Sequence, residues 1–516
     1  MQTEKEYTVG REINGLRCDS VGEYSLPDYN GDVKKVLLVK TRVFPTGKFV
    51  GDDTLEFSGS VGYEVVYIDG ENNITHADFS TDYEAAVKIN SASYVDSDIK
   101  TTVSSCNMRL VGPRKFSVKC ALDNDVRISE RRSHNVAGDA FMEYDPEYVS
   151  QTAKVFTSVF SSGETREINE EILTLEGAIA DEVEILLCDI KPDVSITDIL
   201  DTTAEMKGTL KVGILYKNED NVLKCVEKEV PYNDELSIEG DGLLENVDVR
   251  IDTVNSKAAV TPTEDGVSLG VSLSVVPKVY GKKNSALELI TDAYLKERGT
   301  ENEYTEFGYT EHILSESYEE KFESKYSVSD LEIENINEIM YSDASTRVEE
   351  CEIEEESVKI HGEIRFSAIA CQVNEDGDRT YVPIKFSAPF VQNVNVSCQI
   401  HDNMRVNASV SVREADIDFA DNSLLASCNL VSNITINSDR RQRCLGASYV
   451  TDEEYVRDDS VVTVYYPDKA ESLFEIAKKF HTSVGAIAEN NRLTETVFAA
   501  SRKPLGTLGV EKLLIK

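Results

Sequence analysis

Nowhere in the 516 residues do two cysteines stand within four positions of each other. The ten fall at 18, 106, 120, 188, 225, 351, 371, 398, 428 and 444, never closer than fourteen apart. That spacing excludes a local zinc ribbon, knuckle or thioredoxin-type motif. Several lie among strand-like neighbours, as in Leu186-Leu187-Cys188 and Val118-Lys119-Cys120, and read as small buried hydrophobes, reduced in a reducing compartment. No apolar run approaches the ~18 residues of a membrane span, so direct membrane insertion is not expected. The start, Met1-Gln-Thr-Glu-Lys-Glu-Tyr, lacks the basic-then-apolar order of a secretory signal, which points to a cytoplasmic protein.

Positive charge is scarce. Against 94 Asp and Glu there are 53 Lys and Arg, a formal net charge of −41. Such a surface repels phosphate backbones and anionic headgroups, so nucleic acid and bare membrane are poor partners; a basic protein surface would suit it. The charge also keeps a multidomain chain soluble. Enzyme fingerprints are missing too: there is no GxxxxGK[ST], HExxH, GxSxG or dinucleotide motif. Cys398 and His401 form a lone C-x-x-H, which on a strand would place the two side chains on opposite faces. Asn374-Glu-Asp-Gly-Asp378 lacks the spaced ligands of a calcium loop and reads as a hairpin turn. No catalytic residue, metal or cofactor is expected.

What is present is a repeat. The length implies three or four domains, and 41% apolar residues suffice for packed cores. Three segments align on a glycine: Leu55-Glu-Phe-Ser-Gly59-Ser-Val-Gly-Tyr-Glu-Val-Val-Tyr67, Ala204-Glu-Met-Lys-Gly208-Thr-Leu-Lys-Val-Gly-Ile-Leu-Tyr216, and Val358-Lys-Ile-His-Gly362-Glu-Ile-Arg-Phe-Ser-Ala-Ile-Ala370. The glycines are 149 and 154 residues apart. Leu38 and Leu187 each stand 21 residues before the glycine, with Met340 at a similar offset in the third segment. Polar turns follow each segment at Asp69–Asn72, Asn218–Asn221 and Asn374–Asp378, and Asp139-Ala-Phe-Met142 matches Asp292-Ala-Tyr-Leu295.

The copies read as β structure. Val267, Leu269, Val271, Leu273 and Val275 alternate with small residues after a Glu264-Asp265-Gly266 turn, and Phe116, Val118, Cys120 and Leu122 alternate likewise. Antiparallel, sandwich-like sheets follow. The Glu- and Lys-rich segment Ser315–Ser327 reads as short helix or extended arm. The expected domains are 1–138, 139–291 and 292–447, an acidic linker at 448–459, and a module at 460–516. That last module carries eight Lys/Arg and six Asp/Glu, against −43 for everything before it.

The module opens with strand Val461–Tyr466 and closes with strand Lys512–Lys516. Ser472 and Glu475 form a capping box, ahead of an apolar face at Leu473, Ile476, Ala477 and Phe480. A second cap at Thr482-Ser483 precedes Val484, Ile487 and Ala488. The order is βααβ. Residues 476–491 imitate a helix-turn-helix, but the would-be reading helix from Val484 offers Ala486, Glu489, Asn490 and Asn491 with no basic side chain.

The run Ser472-Leu-Phe-Glu-Ile-Ala-Lys-Lys-Phe480, Thr482-Ser483, Ile487, Asn490-Asn491, Leu493 and Leu508-Gly509 through Ile515 resembles a LysM domain. It departs from that family at Ala470-Glu471, where Gly-Asp is usual, and in a longer 494–507 stretch. Those two loops form the glycan groove of peptidoglycan-binding members. Three acidic β repeats before a LysM-like end resemble the SPOCS-domain spore-coat morphogenetic proteins (SipL-like or SpoVID-like). The resemblance implies a mother-cell cytosolic adaptor at the forespore surface, whose partner is a SpoIVA-type coat morphogenetic ATPase. The alternative is a LysM protein of the cell wall or cortex, bound to peptidoglycan or another glycan. The expected docking face comprises Tyr466, Lys469 and Ser472, the basic pair Lys478 and Lys479, and Asn491, Arg492 and Leu493.

Overall fold

A computed structural model describes residues 2–516 except 138, 201, 219, 239–243, 245, 332, 334–335, 457–460, 494–502 and 506–508. The chain is mainly β, in antiparallel sheets. The first unit holds β1 (Gln2–Ser25), β2 (Val33–Val43), β3 (Gly47–Val50), β4 (Thr54–Asp69), β5 (Ile74–Lys88), β6 (Tyr94–Gly112) and β7 (Lys115–Ala137). After a short helix α1 (Asp139–Met142) come β8 (Glu147–Ser162), β9 (Arg166–Glu176), β10 (Glu184–Leu200), β11 (Thr203–Lys217), β12 (Leu223–Ser237), β13 (Asn246–Pro262) and β14 (Gly266–Tyr294). The third unit holds β15 (Arg298–Ser327), β16 (Ile336–Ile353), β17 (Ser357–Val373), β18 (Arg379–Asn395), β19 (Met404–Ala420) and β20 (Ser423–Glu454).

All three units take the same course. An opening strand, or two in series, is followed by a meander whose middle strand is β4, β11 or β17. A hairpin then ends on β7, β14 or β20, each flanked by its hairpin partner and by the opening strand. In each unit the two sheets share one apolar core, as with Phe57 and Val65 of β4 against Phe116 and Leu122 of β7. Val267 to Val275 on β14 point into the second core, as their alternation dictates.

The glycines sit on the middle strands, each directly opposite an aromatic ring: Gly59 faces Tyr83, Gly208 faces Tyr232, and Gly362 faces Phe390. A Cβ on Gly59 would lie 2.7 Å from the Tyr83 hydroxyl, and one on Gly362 would lie 2.6 Å from the Phe390 ring. At Gly208 it would run into the Asp193 carbonyl oxygen. A strand glycine of this kind marks a close approach that a side chain would obstruct.

Adjacent residues of each middle strand are buried on opposite faces. Val65, Ile214 and Ala368 face their own sandwich, whereas Val66, Leu215 and Ile369 enter one shared cluster with Leu38, Leu187 and Tyr341. The three meanders therefore meet at a common junction. Lys40, Asp189 and Asp343 also meet there, separated by the same 149 and 154 residues as the glycines. The Lys40 ammonium lies 2.9 Å from Asp189 and 2.7 Å from Asp343, with Lys191 3.0 Å from Asp343. Burial opposes the charge on Lys40, but the two carboxylates outweigh it and raise its pKa.

Several expectations need correcting. Ser315–Ser327 is neither helix nor free arm: it is the end of β15, paired from Thr435 to Ser423 on β20. Glu319, Lys321, Glu323 and Lys325 occupy its exposed face, opposite Tyr318, Phe322 and Tyr326, which pack against the core. Asp139–Met142 is helical while Asp292–Tyr294 completes β14 opposite Glu147–Val149, so the second unit runs past 291. Residues 448–454, expected as linker, continue β20 because Ser448–Val450 pair with Thr300–Asn302. Cys398 and His401 lie in the turn after β18, not on a strand.

Two substitutions test this packing. Gly208→Ala should destabilise the chain by about 1–3 kcal/mol, because the added methyl meets backbone. Gly59→Ala should cost less, since a Tyr side-chain end can shift; denaturant midpoints rank the two. Lys40→Met leaves two buried carboxylates undercompensated and should cost on the order of 3 kcal/mol by the same measurement.

Candidate functional site: the C-terminal module and its seat

The last module consists of β21 (Thr463–Tyr465), α2 (Leu473–Lys479), α3 (Val484–Asn490) and β22 (Leu513–Ile515), with β21 and β22 antiparallel. Both helices start where their caps require. Ser472 Oγ accepts from the Glu475 amide while the Glu475 carboxylate accepts from the Ser472 amide, and Ser483 Oγ accepts from the Ala486 amide. Leu473, Ile476, Ala477, Val484 and Ile487 close a small core with Leu505, Leu513 and Ile515.

Tyr294, the last residue of β14, belongs to that same core. Its ring meets Phe474 edge-on at 5.3 Å, and its hydroxyl donates to the Thr482 carbonyl at 2.5 Å. Beside it, Lys478 donates to both oxygens of Asp292 at 2.7 Å. His481, in the left-handed region at φ 49°, stacks on Tyr455 at 3.5 Å. The module is thereby fixed on the end of β14. Sequence reasoning missed this seat. Asp292 and Tyr294 were visible only as a match to Asp139 and Phe141, and nothing local linked them to a helix 186 residues on.

The structure divides the eight expected docking residues. Ser472 is buried as a cap, Lys478 is paired with Asp292, and Asn491 binds the Leu514 amide and carbonyl, tying α3 to β22. Leu493 packs partly against the module core, its amide on Ala488. Tyr466 (72% exposed), Lys469, Lys479 and Arg492 face outward. Lys479 donates to the Tyr465 hydroxyl at 2.9 Å, which raises its pKa, and lies 3.8 Å from Glu471.

Glu471, at the departure from Gly-Asp, has a local structural role. Its carboxylate accepts from Tyr465 and from the Asp468 amide, so it closes the loop from β21 to α2. Burial opposes its ionisation, but these donors and Lys479 prevail and lower its pKa. The 494–507 loop lies outside the described residues except at 503–505, where Ser472 bridges to Pro504.

Elsewhere, burial pushes the Cys188 thiol up to about 12 and the Cys428 thiol up to about 11, which disfavours thiolates at neutral pH. Among the described residues no group of three or more His, Cys, Asp or Glu is arranged to hold a metal ion, and no helix is long and apolar enough to cross a membrane.

Residues 183–259 match the family model of the SipL, SPOCS domain. In the structure this SPOCS segment is the whole meander β10–β12 with most of β13, and it includes Gly208, Asp189 and Leu215. No curated protein and no solved structure matches the chain.

The seat can be tested by charge exchange. Lys478→Glu should lower the module's local stability by about 1 kcal/mol, an amount suited to a partly exposed pair. The double variant Lys478→Glu, Asp292→Lys should recover most of it. Hydrogen exchange of Leu473–Lys479 amides reports both.

Proposed function

We propose that the chain is a non-enzymatic adaptor in spore-coat assembly, acting in the mother-cell cytosol at the forespore surface. The SPOCS match at 183–259 carries this reading, since that domain points to a sporulation-related, coat-associated protein. The matched segment's strand course recurs in the first and third units, which supports reading all three as tandem SPOCS-type repeats. The βααβ order supports a LysM-like fold for the final module.

In this reading the three units form the scaffold and the module holds the partner, a SpoIVA-type coat morphogenetic ATPase. The docking face is the outward set Tyr466, Lys469, Lys479 and Arg492. Ser472, Lys478, Asn491 and Leu493 support it from beneath. The module's net positive balance, on a body of −43, suits an acidic patch on the partner. If that partner is polymeric, several weak contacts per scaffold would raise avidity by ~10²–10⁴ over one contact.

The test is capture of the purified ATPase by the full chain. Tyr466→Ala with Arg492→Glu should reduce capture at least tenfold while the unfolding midpoint stays unchanged. Undiminished capture would remove the module face from the account. Co-sedimentation of the full chain with purified cell-wall sacculi, lost in the same double variant, would instead support glycan binding.

A further inference from the structure

A second feature lies far from the module, where the first unit meets the third. A cleft of about 440 Å³ opens between β1 and β7 on one side and β15, β19 and β20 on the other. Five arginines line it: Arg11, Arg132, Arg405, Arg440 and Arg441. In a chain of net charge −41 this is an island of the opposite sign.

The neighbouring carboxylates do not cancel it. Arg11 and Arg132 share Glu130, at 3.5 and 3.1 Å. Arg405 leans on Asp439 at 2.8 Å, and Arg440 on Glu311 at 3.2 Å. Arg441 has no carboxylate within 4 Å among the described residues. At the floor, Glu12 is neutralised by Lys282 at 2.9 Å, a pair whose side chains are only 8% and 6% exposed. Tyr280 and Asn437 donate to its two oxygens. Six cations thus face four carboxylates, and the guanidiniums on the walls remain close to half-exposed.

The backbone leaves room as well. Gly308 lies mid-strand on β15, directly opposite Arg441, and a Cβ built there meets nothing within 4 Å. An interior strand glycine costs about 0.5–1 kcal/mol relative to alanine, and it commonly marks a place where a ligand or another backbone approaches. Among the described residues none fills the space beside Gly308 within 4 Å. The volume falls within the ~300–1,000 Å³ of small-molecule sites.

We propose that this cleft binds a small, multiply charged oxyanion, held by the guanidinium forks of Arg405 and Arg441, which share one face of the sheet. Guanidinium matches carboxylate and phosphoryl groups alike, through paired charge-assisted hydrogen bonds. Glycine at 308 keeps the entrance clear.

Calorimetric titration of the full chain at low ionic strength tests this with two probes, tripolyphosphate and citrate. At least one should bind saturably at one site per chain, and the tighter of the two assigns phosphoryl or carboxylate chemistry. Arg441→Ala should weaken that binding at least tenfold, or about 1.4 kcal/mol. Gly308→Leu, which fills open space without removing a charge, should weaken it comparably, with both unfolding midpoints near that of the parent chain. Lys385→Ala, outside the cleft, should change nothing. If neither probe binds, or if Gly308→Leu and Arg441→Ala bind as the parent chain does, the proposal is overturned.

Discussion

The meander sheets have two apolar faces, and the rest of the architecture follows from hiding both. In each middle strand neighbouring residues are buried on opposite sides, Val65 and Val66 being one pair. One face is covered by the unit's own second sheet. The other would be exposed on an isolated unit, at a cost of about 1.5–3 kcal/mol for each large side chain. Three such faces close on one another through Leu38, Leu187, Tyr341 and their neighbours. Stability of one unit is therefore tied to the presence of the other two.

Much of this was legible in the sequence. Alternation located β14 and β7, polar clusters located the hairpin turns, and Ser472 with Glu475 fixed the start of α2. The glycine step gave the offset between units, although its cause, a close approach from a neighbouring strand (the Tyr83 ring at Gly59, backbone at Gly208, both backbone and the Phe390 ring at Gly362), depends on pairing that no local pattern encodes. The unbroken runs Val65-Val66-Tyr67 and Ile214-Leu215-Tyr216 signal burial on both faces, but not what covers the second one. Ser315–Ser327 misled because charged residues on a half-exposed strand resemble a polar helix face.

The module illustrates the same divide between local and distant information. Caps and apolar spacing are local, and they placed both helices. Lys478 and Lys479 are indistinguishable in sequence, yet one is paired with Asp292 and the other points outward over Tyr465. Only the arrival of β14 beneath α2 separates them. The seat holds one side of the module on β14, so its orientation is set by the scaffold.

The charges at the junction carry a consequence for how such a molecule could be built. Lys40, Asp189 and Asp343 occupy matching places, and their attraction works only because they differ. A homotrimer of the first unit would gather three ammonium groups at that spot, and a homotrimer of either other unit three carboxylates. Like charges at such separations are strongly unfavourable away from water. Fusion into one polypeptide, with fixed stoichiometry and distinguishable parts, is what lets a single lysine bridge two aspartates there.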